Sequence, residues 1–91
     1  MPRNNPGWRG VWYIYHHIRR EFVRDMRPDG PRLTPSIVHA KPYKNPSRAQ
    51  KCASRINAML CQPGPSWPCQ PVSVVTGEAA RCLDEINRRD H

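Results

Sequence analysis

A helix bracketed by two proline signals constrains this 91-residue chain more than any other feature. Asn45 supplies an N-cap side chain, and Pro46 suits the first helical position, where an N–H would have no intrahelical partner. Ala49, Cys52, Ala53, Ile56 and Leu60 then recur at i, i+3, i+4, i+7 and i+11, the spacing of one apolar stripe. The run must stop before Pro63-Gly64-Pro65, because proline neither donates to a helix nor fits its interior. The stretch 62–71 holds four of the eleven prolines and reads as a stiff loop, with Trp67 over a core edge. An amphipathic helix has to lay its stripe on a second layer, which the rest of the chain must supply.

That layer reads as a sheet. Val11-Trp12-Tyr13-Ile14-Tyr15 is entirely β-branched or aromatic. Asp29-Gly30 is a tight-turn signal. Beyond it, Ser36-Ile37-Val38-His39-Ala40 reads as a second strand, so one long hairpin is expected. Val11, Ile14, Tyr15, Ile18, Phe22 and Met26 also fit helical spacing, which keeps a helix over about residues 16–26 open. Pro71 to Val75 reads as a third strand. Thr76 caps a second helix with its stripe at Ala79, Cys82, Leu83 and Ile86. The order β-β-α-β-α predicts a small α+β domain: a three-stranded antiparallel sheet with both helices packed on one face. Residues 1–10 read as an extended lead-in, 11–87 as the single domain, and 88–91 as a polar tail. Trp8 in the lead-in either pins the terminus to the core or offers a stacking face.

Charge bounds the function. The net charge is +8. Residues 1–51 carry eleven Lys/Arg against three acids, and residues 52–91 carry four against four. The N-terminal half therefore projects a positive field, which speeds encounters with polyanions and favours phosphate contacts by counterion release. No apolar run reaches the roughly 18–20 residues needed to span a bilayer, and the first residues lack the apolar stretch of a signal peptide. The expected location is the cytoplasm, with reduced thiols.

Catalytic signatures are missing from the sequence. It has no Gly-x-Gly-x-x-Gly, no Walker lysine motif and no Gly-x-Ser-x-Gly. Six of the seven acids sit in turn, cap or surface contexts, Glu21 is flanked by Arg20 and Arg24, which are expected to neutralise it, and no pair is placed for acid–base work. Cys52, Cys61, Cys69 and Cys82 form no Cys-x2-Cys knuckle, so zinc would require distant loops to converge. Cys52 and Cys82 fall on the apolar stripes and read as small buried hydrophobes. No cofactor, metal, membrane or small-molecule substrate is expected, and no enzymatic activity.

The positive constellation is Lys41-Pro42-Tyr43-Lys44-Asn45-Pro46-Ser47-Arg48, running into a helix N-terminus. Arg48, Lys51 and Arg55 continue it at i, i+3 and i+7, as a cationic stripe with no interleaved acid. Tyr43 offers a stacking face among the charges. Arg19, Arg20 and His17 form a second basic group. Lys41, Tyr43, Lys44, Arg48, Lys51, Arg55, Arg19, Arg20 and His17 are the candidate contacts to a polyanion, to DNA or RNA directly. The competing reading is an ordinary solvated surface.

The segment His39 to Ala49, the Ala/Ile-spaced helix after it and the closing Val-Ser-Val-Val-Thr-Gly-Glu-Ala-Ala element resemble small bacteriophage proteins. In size and layout, over roughly residues 11–86, the chain resembles phage-encoded anti-CRISPR proteins. The resemblance implies a non-catalytic inhibitor, in the host bacterial cytoplasm, that sits on a multisubunit RNA-guided surveillance complex and blocks target DNA. Many such proteins are acidic DNA mimics. A basic one implies contact with the guide RNA or with acidic patches on effector subunits.

Overall fold

The first strand is buried on both sides, and the architecture follows from that. The computed structural model describes residues 10–60 and 71–89. Strand β1 (Trp12–His16) lies inside a four-stranded antiparallel sheet with β2 (Glu21–Arg27), β3 (Gly30–Thr34) and β4 (Val72–Thr76), in the order β3-β2-β1-β4. Helix α1 (Pro46–Leu60) precedes β4, and helix α2 (Gly77–Arg89) follows it. The α+β class holds, but the sheet has four strands rather than three and the order is β-β-β-α-β-α.

The extra strand arises at residues 17–20, which the expected hairpin ran straight through. His16 is buried, and its Nδ1 accepts the Arg19 N–H at 3.1 Å, so an imidazole closes the turn. Arg20 completes it with φ 57, a left-handed backbone that costs an L-residue about 1 kcal/mol or more. The Asp29 signal is borne out: a two-residue turn, Pro28-Asp29, joins β2 to β3, and Gly30 adopts φ 139. A side chain at Gly30 would meet open space, so conformation alone requires glycine there. Ser36–Ala40 is not a strand. Ser36 Oγ accepts the Val38 N–H at 3.2 Å and caps a short 3-10 turn over Ile37–His39.

The helices lie on opposite faces of the sheet, not on one. Tyr13 and Tyr15 turn towards α2 and cluster with Phe22, Ala80 and Leu83. Ile14 turns the other way and clusters with Val23, Val72 and the α1 residues Ala53 and Ile56. Val11 to Tyr15 lacks polar alternation because both faces of β1 are covered, with only Trp12 half-buried, the pattern of a doubly covered strand. β1 and β2 pair only over Tyr15↔Phe22 and His16↔Glu21. Beyond that the segment 41–43 takes the place beside β1: Trp12 and Tyr43 exchange two backbone hydrogen bonds of 2.7 Å, and the Lys41 N–H reaches the Val23 carbonyl.

Both helices run in the direction of β1. The Gly77 N–H bonds the Val11 carbonyl at the start of α2, and Asn87 near its end donates to the Tyr15 hydroxyl. α1 begins just after Tyr43, beside Trp12, and Asn57 reaches Val72, the partner of His16. That Asn57 contact closes part of an edge. Its Nδ2 donates to the Val72 carbonyl at 3.1 Å and its Oδ1 accepts the Val72 N–H at 3.0 Å, standing in for a fifth strand.

The two caps form as expected. Asn45 Oδ1 accepts the Ser47 N–H at 2.8 Å and the Arg48 N–H at 3.4 Å, and Thr76 Oγ1 accepts the Ala79 N–H at 3.1 Å. The α1 stripe is buried at Ala49, Ala53 and Ile56, but Leu60 is exposed. The α2 stripe is not the expected one. Gly77, Ala80 and Asp84 are buried, while Ala79, Cys82 and Ile86 face outward. Cys82 is therefore not a buried hydrophobe, and Cys52 is half-buried. α2 extends to Arg89, into the stretch read as a tail. Trp8, Cys61, Trp67 and Cys69 lie outside the described residues.

Candidate polyanion-binding surface

The cationic stripe forms on α1. A helix advances about 1.5 Å and 100° per residue. Arg48, Lys51 and Arg55 therefore fall within about 60° of the circumference and span about 10 Å of the axis. All three are exposed, as is Lys44 just before the cap. The row sits roughly a third of a turn from the buried Ala49-Ala53-Ile56 stripe, so it faces solvent while the core stripe holds the helix on the sheet.

Electrostatics separate this row from the arginines that hold a carboxylate partner. No Asp or Glu occurs between Asp29 and Glu78. The carboxylates that do pair engage other cations: Glu21 with Arg19 at 3.5 Å, Asp25 with Arg27 at 3.5 Å, Asp84 with Arg88 at 2.8 Å and Glu85 with Arg81 at 3.8 Å. Among the described residues none of the ion pairs involves Lys44, Arg48, Lys51 or Arg55. The first turn of α1 holds no acid, so the positive end of the helix dipole adds to the same field.

The other candidates divide. Lys41 is exposed and its ammonium lies 5.3 Å from the centre of the Tyr43 ring, a cation–π contact beside the row. Tyr43 itself serves packing. Its ring joins the Ile14–Ile56 cluster and its hydroxyl reaches Cys52 Sγ at 3.4 Å. Burial, and then the Cys52 contact, raise its pKa well above 10. His17 bonds Ser73 Oγ through Nε2 and meets the Tyr15 ring edge-on at 5.3 Å. It sits with Arg19 and Arg20 on the β1–β2 turn, at the opposite end of β1 from Tyr43. Five residues of strand put about 16 Å between the two groups.

Arg19 and Arg20 instead line a cleft of about 630 Å³ with Glu21, Pro35, Ser36, Asp84, Asn87 and Arg88. The α2 members of this cleft escaped the sequence reading, which placed Asp84 in a turn, cap or surface setting. It is 3% exposed, accepts the Ile37 N–H at 3.2 Å and holds Arg88. Its i, i+4 spacing to Arg88 was the one signal that could have revealed the pair.

Among the described residues no three His, Cys, Asp or Glu side chains form a metal-binding group, and no helix is long and apolar enough to cross a membrane. Compared with known proteins, the chain matches no family model, no curated protein and no solved structure.

Proposed function

We propose that this protein is a non-enzymatic binding domain that docks on nucleic-acid phosphates through the outer face of α1. The supporting observation is the row Lys44-Arg48-Lys51-Arg55, exposed and in no ion pair among the described residues, on an acid-free stretch of chain, while acids elsewhere pair with arginines. Surface charge that serves only solubility is normally interspersed with the opposite sign. The resemblance to phage anti-CRISPR proteins gives the finer form of the proposal. The phosphates then belong to the guide RNA of a surveillance complex, and the bound protein obstructs target DNA.

The test is charge reversal of Lys44, Arg48, Lys51 and Arg55 to Glu, with circular dichroism to confirm the fold. Loss of capture of nucleic acid or of a protein–RNA complex supports the reading; unchanged capture by a folded variant overturns it. Pull-down with and without nuclease separates the two forms. Effector subunits that stay bound after nuclease favour the inhibitor, and recovery of bulk nucleic acid alone favours a sequence-nonspecific accessory protein.

A further inference from the structure

We propose that the cleft between the β1–β2 turn and the end of α2 is a second binding site, for a small ligand carrying a terminal phosphate. It lies on the α2 face of the sheet, so it does not rest on the α1 reading. Its volume, about 630 Å³, falls within the range of small-molecule sites.

Three arginines converge there from two elements, Arg19 and Arg20 from the turn and Arg88 from α2. The surrounding structure holds them in place at a cost. Asp84 is a carboxylate buried on the inward face of a helix, where an apolar residue would complete the stripe. One of its oxygens anchors the Ile37 N–H and the other fixes Arg88 at the rim. Asn87 Nδ2 bonds the Tyr15 hydroxyl at 3.1 Å and the Arg20 carbonyl at 3.2 Å, tying the turn to α2. Arg20 occupies a left-handed position that Gly or Asn would fill with less strain. Buried polar supports and backbone strain around one cleft are what a positioned binding site requires and a bare surface does not.

The residue types select the ligand. A guanidinium carries five donors in a planar fork. Glu21 meets Arg19 at Nε and Asp84 meets Arg88 at Nη2, and a five-donor fork can hold a ligand beside such a contact, so Arg19 and Arg88 are the two arginines the site relies on. A terminal phosphate offers three oxygens, enough to meet the Arg19 and Arg88 forks together, whereas the two oxygens of a carboxylate match a single fork. Pro35 and the arginine stems give an apolar wall to the organic remainder. The phosphate could come from a free nucleotide or from the 5′ end of an oligonucleotide.

Amide NMR titrations of the full chain with AMP, adenosine and inorganic phosphate test the site. AMP should move the amides of residues 19–21, 36–37 and 84–88, while adenosine should not. Arg19→Gln, at an exposed position, and Arg88→Lys, which keeps Asp84 paired, should each weaken AMP binding about tenfold with the fold intact. A 5′-phosphorylated tetranucleotide that binds more tightly than AMP identifies a chain end, and equal affinity identifies a free nucleotide. No response to millimolar AMP, shifts confined to α1, or variants that bind AMP like the parent protein would overturn the proposal. Loss of the α1 row by charge reversal should leave these cleft shifts in place, so the two readings fail separately.

Discussion

Removing one charge from the α1 row should change how binding responds to salt by a calculable amount. Lys44, Arg48, Lys51 and Arg55 are four exposed cations that make no ion pair among the described residues. If each takes one phosphate, the logarithm of the association constant should fall with the logarithm of salt at a slope of about −3.6 on duplex DNA and about −2.8 on single strands. Raising salt from about 50 to about 200 mM then weakens duplex binding about 150-fold and single-strand binding about 50-fold. Lys51→Gln removes one contact from the middle of the row. The slope should become shallower by about 0.9 on duplex and about 0.7 on single strands. Lys41 is left out of the count because its ammonium already lies against the Tyr43 ring.

Fluorescence anisotropy of labelled oligonucleotides with 5′-hydroxyl ends, titrated at several salt concentrations, reads these slopes without engaging a terminal phosphate. Lys51 is exposed and makes no ion pair among the described residues, so its melting temperature should hold within the range of neutral surface changes. A parent slope shallower than about −1, or a Lys51→Gln slope equal to the parent's, would refute the reasoning, because the row would then not be releasing counterions.

Two predictions concern the frame that carries both surfaces. Asn57→Ala strips Val72, which is 1% exposed, of partners for both its N–H and its carbonyl; a loss of about 2 kcal/mol is expected, seen as a melting temperature lower by roughly 10 °C, and a drop of under about 2 °C would rule out the edge-closing role. His16 has its pKa held below 6.5, first by burial and then by the Arg19 charge, so its protonation is easier in the unfolded chain. Its contribution to stability is complete above pH 6.5 and declines as pH falls through 6.5 towards the lower folded value; urea unfolding should show this decline, and His16→Asn, which offers a neutral acceptor to the Arg19 N–H, should lack it.

The parts of the fold legible in the sequence are those decided within a few residues. The α1 cap, stripe and cation row depend on spacing alone, and the Pro28-Asp29-Gly30 turn on backbone preference. The β1–β2 turn was hidden because its left-handed position holds Arg20, not Gly or Asn, and because its closing acceptor is an imidazole. The two-sided cover is hidden because composition and the Asp29-Gly30 turn decide Val11 to Tyr15 for strand against helix without deciding which faces are buried. The missing alternation of that stretch already implied a cover on each face.

The error in α2 has the same physical root as the second site. A search for apolar spacing selects Ala79, Cys82, Leu83 and Ile86, yet the inward face is Ala80, Leu83, Asp84 and Asn87. Asp84 and Asn87 point inward because their partners, the Ile37 N–H, the Tyr15 hydroxyl and the Arg20 carbonyl, arrive from distant parts of the chain. No local pattern encodes those partners, and without them both residues look like solvated surface. A helix that served only to cover the sheet would gain by placing apolar side chains at 84 and 87, since buried carboxylates and amides are costly unless every partner is in place. This one gives up that gain to fix a turn bearing two arginines and to hold a third beside them. The departure from apolar periodicity is thus itself a reason to look for a ligand in the cleft, since local rules give way where a site must be positioned.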